Sequence, residues 1–203
     1  MECNSKVYSL IKKITREQKI QFGIFSIRRV VGIYEQFEKS EDSEIVNTEI
    51  PQGERYNLLI SIIKYLQDNK EYDKDKIKHY IDLLESLVTD DEDDGNSTGL
   101  TIAGYVITGT IAVLEFIQND DVKRIFWCSD SIIEIMNQVK SEEYYSKYPD
   151  YSDDEIEKLV DASIDDEVKI EKEIITMIQS DLGMEELEQY IEKNLVNVPD
   201  EIF

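Results

Sequence analysis

A run of 19 residues without a charged side chain, "NSTGLTIAGYVITGTIAVL" at 96–114, interrupts a chain in which 45 acidic side chains outnumber 22 basic ones. A stretch this apolar must leave water, either into a bilayer or into the middle of a protein core. It holds three glycines and four threonines, is flanked by Asp94 and Glu115 rather than by Lys or Arg, and lacks an aromatic belt. Those features predict a buried central element and no membrane partner. Its β-branched content would also suit a hairpin turning at Thr108-Gly109. The helical reading is preferred: it gathers Ala103, Gly104, Thr108, Gly109 and Ala112 on a small-residue face where a neighbouring backbone comes close.

Around that segment the apolar residues keep helical time. Thr15 and Gln18 form a capping box, and Ile20, Ile24, Ile27, Val31 and Tyr34 then recur at steps of three and four. "SEDSEIVNTEIPQGE" reads as an exposed loop. Helices follow at about 54–68, with Leu58, Leu59, Ile62, Ile63 and Leu66 inward, and at about 74–89, with Ile77, Ile81, Leu84 and Val88 inward. Beyond the uncharged segment, Ile125, Ile132, Ile133 and Met136 form the core face of another helix, with Trp127 and Cys128 in the core or at its rim. Ser152 and Glu155 cap a long helix whose stripe runs from Ile156 to Ile178, and Gly183 precedes a short last one. With only three prolines and eight glycines there is no linker composition. The prediction is all-α: a single-domain bundle of about eight helices over 1–203, with an acidic loop at 90–98 and a Tyr-rich connection at 141–152.

Absent residues exclude most chemistry. His79 is the one histidine, and Lys76 stands three before it, so Glu-x-x-His di-iron and H-E-x-x-H zinc sites both fail. Gly104-Tyr-Val-Ile-Thr-Gly109-Thr110 has the spacing of a phosphate loop with Thr110 where lysine must stand. The acidic run Asp90, Asp91, Glu92, Asp93, Asp94 ends at Gly95 like a calcium loop. The twelfth position is Thr101, however, so the bidentate carboxylate is missing. We expect no enzyme, no metal and no cofactor. Cys3 and Cys128 form no framework, and "MECNSKVYSLIKKITREQ" places charges inside any signal-like core, which predicts a cytoplasmic, reducing setting.

The succession "QKIQFGIFSIRRVVGIYEQF", "GLTIAGYVITGTIAVLEFI", "VKRIFWCSDSIIEIM" and "YSDDEIEKLVDASIDDEVKIEKEIITMI" resembles the uncharacterised bacterial family typified by the YjaG protein, over roughly residues 15–182. "SDDEIEK" is the closest local match. The resemblance implies an all-helical domain of unknown function and carries over no catalytic residues.

A formal net charge of −23 argues against nucleic-acid binding. Residues 1–34 hold seven basic side chains against two acidic, a balance of +5, while residues 141–203 hold five basic against 20 acidic, a balance of −15. One reading packs the two ends together; the other makes the acidic end a docking surface. The leading functional expectation is a non-enzymatic binding protein, most concretely an immunity protein or inhibitor that neutralises a basic partner such as a nuclease toxin. Its contact residues would be Tyr144, Tyr145, Tyr148 and Tyr151, four of twelve tyrosines within eight residues, beside Asp150, Asp153 and Asp154. Tyrosines supply anchors and carboxylates supply steering. The alternatives are a helical housekeeping domain, homodimeric through an apolar helix face, or a DNA mimic.

Overall fold

The computed structural model describes residues 3–46, 48–88, 97–180, 183–199 and 202–203. Within them the chain forms eight α-helices: α1 (Cys3–Ile11), α2 (Arg16–Glu38), α3 (Arg55–Asp68), α4 (Lys74–Glu85), α5 (Thr98–Asn119), α6 (Val122–Lys147), α7 (Asp153–Gln179) and α8 (Met184–Lys193). A short 3-10 turn, Glu41–Ile45, links α2 towards α3, and there is no strand among the described residues. The fold is an all-α, single-domain bundle, as the periodicity predicts.

The uncharged segment is the helix α5 at the centre. The Ser97 side chain accepts the Leu100 N–H and so starts the helix, while Asp120, in the left-handed region at φ 56°, ends it. Long and apolar enough by composition to cross a membrane, with a mean hydropathy of 1.8, it instead has two-thirds of that window buried against protein. α2, α4 and α6 surround it, and α6 in turn carries α7. Ala103, Gly109 and Ala112 of the small-residue face are buried, but side chains rather than a neighbouring backbone approach Gly109. A Cβ on Gly109 would stand 3.0 Å from Ile27 Cδ1 and 3.2 Å from Ser131 Cβ. Gly104 and Thr108 do not belong to that face: Thr108 is exposed, and space is open around Gly104.

Four other expectations change. α6 does not give way to a connection at 141 but continues to Lys147, so only 148–152 of the Tyr-rich stretch is a connection. "SEEYYSK" has no helix breaker until Pro149, which pushes Tyr148 out of the helical region at φ −128°, ψ 64°. Because α4 ends at Glu85, Leu87 fills the core and Val88 is 40% exposed. Trp127 is 51% exposed, its ring lying under the Arg124 guanidinium at 4.2 Å. The stretch before α3 is not simply exposed. Buried Glu38 accepts the N–H groups of Gly53, Arg55 and Tyr56, and buried Arg55 donates to the carbonyls of Ser43, Val46 and Ile50. Glu38 thereby caps α3 from another helix, which local sequence does not announce. The acidic run 90–94, with Gly95 and the calcium-loop reading, lies outside the described residues.

The basic amino-terminal helices do pack against the acidic carboxy-terminal ones. α1 and α2 lie on α7, α2 also touches α8, and Arg28 pairs with Glu188 at 2.6 Å. The segment after α8 is tied back to α2 through Val196 N–H to the Arg29 carbonyl and Gln36 Nε2 to the Val198 carbonyl.

Candidate functional site

The tyrosine segment folds into an exposed corner where α6 turns into α7. Glu155 makes the turn: its carboxylate accepts the Ser152 N–H at 2.9 Å and the Ser152 hydroxyl at 2.8 Å. Those bonds hold the Glu155 carboxyl below the usual range, keeping it charged at the positive end of the α7 dipole. Tyr148 stacks on Tyr151, with ring centroids 4.8 Å apart and planes at 17°, and Tyr144 approaches Tyr148 at 6.2 Å. Tyr144 is half-buried and its hydroxyl sits 2.9 Å from Ser163 Oγ. Tyr145 and Tyr151 are the outward rings, 48% and 46% exposed. The Tyr145 hydroxyl donates to Asp153 Oδ1 at 3.1 Å, and that bond raises its pKa. Asp150, Asp153 and Asp154 are all exposed on the turn and the first turn of α7.

Two features extend this corner. Along α7 the exposed Asp154, Glu157, Asp161 and Asp165 follow at steps of three and four, forming a ridge of carboxylates on one face. On α6, Glu142, Glu143, Ser146 and Lys147 line an open groove of about 250 Å³ together with Pro199 and Ile202. The seven predicted contact residues are thus brought to one surface, and the ridge and groove are additions that the tyrosine count alone did not reveal. The signal for the ridge was present, since acids at steps of three and four mark a helix face as well as apolar residues do.

Sequence reasoning also missed a buried charged cluster. Arg29 on α2 makes a two-pronged pair with Glu167 on α7, 2.5 and 2.7 Å, and its Nε donates to the Asn194 carbonyl at 2.9 Å. Both partners are essentially sealed from water. Glu171, one turn further along α7, is fully buried and receives the Ser129 hydroxyl at 2.7 Å. Cys128 lies in the same interior, and burial pushes its thiol up, out of reach of a reactive thiolate. No group of His, Cys, Asp and Glu side chains among the described residues is arranged to hold a metal ion.

Fold and surface together define a class: an acidic all-α domain with an exposed aromatic corner running into a ridge of carboxylates on α7. No protein-family model matches the chain, and no curated protein sequence matches it. Its fold is similar to the crystal structure of a DUF416 family protein from Shewanella baltica, with a TM-score of 0.64 over 95% of this chain and 98% of that one. At 15% identity the likeness concerns the fold, a helical domain of unknown function.

Proposed function

We propose that this chain is a non-enzymatic binding protein whose α6–α7 corner docks a basic protein, as an immunity-type inhibitor neutralises a cationic toxin such as a nuclease, and that it is a cytoplasmic relative of the YjaG-like helical proteins. The observation that carries this reading is the convergence of Tyr145, Tyr151, Asp150, Asp153 and Asp154 on one exposed corner continuous with the α7 ridge. Exposed tyrosines offer rigid amphipathic contact area. Exposed carboxylates draw in a cationic partner and discriminate against anionic ones. Arg28 and Arg29 pair with Glu188 and Glu167, while Asp154, Glu157 and Asp161 of α7 stay exposed.

The test begins with capture on the immobilised protein from its host lysate at low salt, elution by a salt gradient, and reconstitution with the purified candidate. A basic partner is expected, with association that slows steeply as salt rises. Tyr145→Ala with Tyr151→Ala should weaken it by about tenfold or more. Affinity unchanged in that double variant and in Asp150→Asn with Asp153→Asn would remove the corner from the interface. Competition by duplex DNA for the same partner would favour the DNA-mimic reading instead.

A further inference from the structure

Glu171 sits where α2, α6 and α7 meet, with 0% of its surface exposed. Its Oε2 accepts the Ser129 hydroxyl, and its Oε1 has no hydrogen-bond partner. The charged and titratable groups around it are Arg29 from α2, Cys128 and Asp130 from α6, and Glu167 from α7 itself. Tyr190 of α8 stands beyond Arg29 and donates to Glu173, and Tyr8 of α1 bonds Asp130. Arg29 directs its hydrogen bonds to Glu167 through both terminal nitrogens and to the Asn194 carbonyl through Nε, and none of them reaches Glu171. If both acids were ionised, the interior would hold two negative charges against one guanidinium, with one oxygen wholly unsatisfied. Such uncompensated burial is among the most costly features a core can carry.

We propose that Glu171 keeps its proton in the folded protein and that this proton acts as a lock, its loss at higher pH loosening α7 from α2 and α6. The electrostatics agree with the geometry. Burial first, and then the neighbouring Glu167, push the Glu171 carboxyl well above its usual range, against the opposing pull of the Ser129 hydroxyl and Arg29. A group whose folded pKa is raised lends stability that is fully present below its unfolded value, about 4.3 for glutamate, and is lost as pH rises through the folded value.

The experiment compares urea unfolding of the wild-type protein and Glu171→Gln at intervals between pH 5 and pH 8. Glutamine keeps the Ser129 contact and carries no titrating proton, and the shared surface acids cancel between the two proteins. The ratio of folding constants, variant over wild type, should climb with pH by up to about tenfold per unit, the slope of one linked proton. A ratio independent of pH overturns the proposal. Should Glu171→Gln fail to fold, carboxyl carbon NMR of the wild-type protein decides: a Glu171 signal still at its protonated position at pH 7 supports the lock, and one that titrates with the surface glutamates refutes it.

Discussion

Gly23 and Gly32 lie on the same helix in opposite surroundings. A Cβ on Gly23 would meet Val113 Cγ2 at 2.6 Å, and Val113 is a stiff β-branched side chain buried in α5. A Cβ on Gly32 would meet nothing within 4 Å. Gly23→Ala is therefore expected to destabilise the fold by about 1–3 kcal/mol through overpacking. Gly32→Ala should stabilise it by roughly 0.5–1 kcal/mol, because alanine loses less backbone freedom in a helix. Guanidinium unfolding of the two variants checks both signs, and equal effects would contradict the α2–α5 contact. Nothing in "QFGIFSIRRVVGIYE" separates the two glycines, since their difference is made by a residue on another helix. Arg29, Glu167 and Glu171 went unread although a local signal was present. Each stands in the register of an apolar stripe, Phe22, Phe25, Arg29, Ile33 on α2 and Val160, Ile164, Glu167, Glu171, Ile174 on α7. A charge at such a position announces a buried partner without naming it.

At the scale of elements, the segment between α2 and α3 depends on one side chain. Glu38 accepts three backbone N–H groups at the start of α3, at 2.8, 2.9 and 3.0 Å, while Arg55 gathers the carbonyls of the preceding turn. Replacing Glu38 by alanine leaves buried donors unpaired and should cost about 3 kcal/mol. The expected signature is local. Limited proteolysis should cut within 40–54 in Glu38→Ala, while amide exchange in α5 and α6 stays slow. Cleavage spread evenly over the chain would show that Glu38 is not a local clamp. The helices themselves were largely readable, with Thr15 and Ser152 capping where the spacing places them, and α5 a helix rather than a hairpin. The end of α6 was not, because a tyrosine- and serine-rich stretch resembles a loop in composition yet contains no breaker before Pro149.

For the whole molecule, a charge of −23 makes self-repulsion the first electrostatic fact. Screening by salt should relieve it, so raising NaCl from low concentration to about 0.5 M is expected to lift the thermal midpoint by several degrees. Scanning calorimetry at fixed pH checks this. A falling midpoint would mean that partly exposed pairs such as Arg28–Glu188 and Arg124–Glu115 outweigh the repulsion. The amino-acid order alone determined the helical class, the burial of the uncharged segment and the main caps, because each rests on spacings within a few residues. The tertiary structure alone decided that Arg29 meets Glu167 across 138 positions of chain, that Glu171 keeps an oxygen without a partner, and that Trp127 faces out. It also decided that the tyrosine corner continues into a carboxylate ridge on α7. Those features depend on which helix faces lie against one another, and helical periodicity specifies a face without specifying its neighbour.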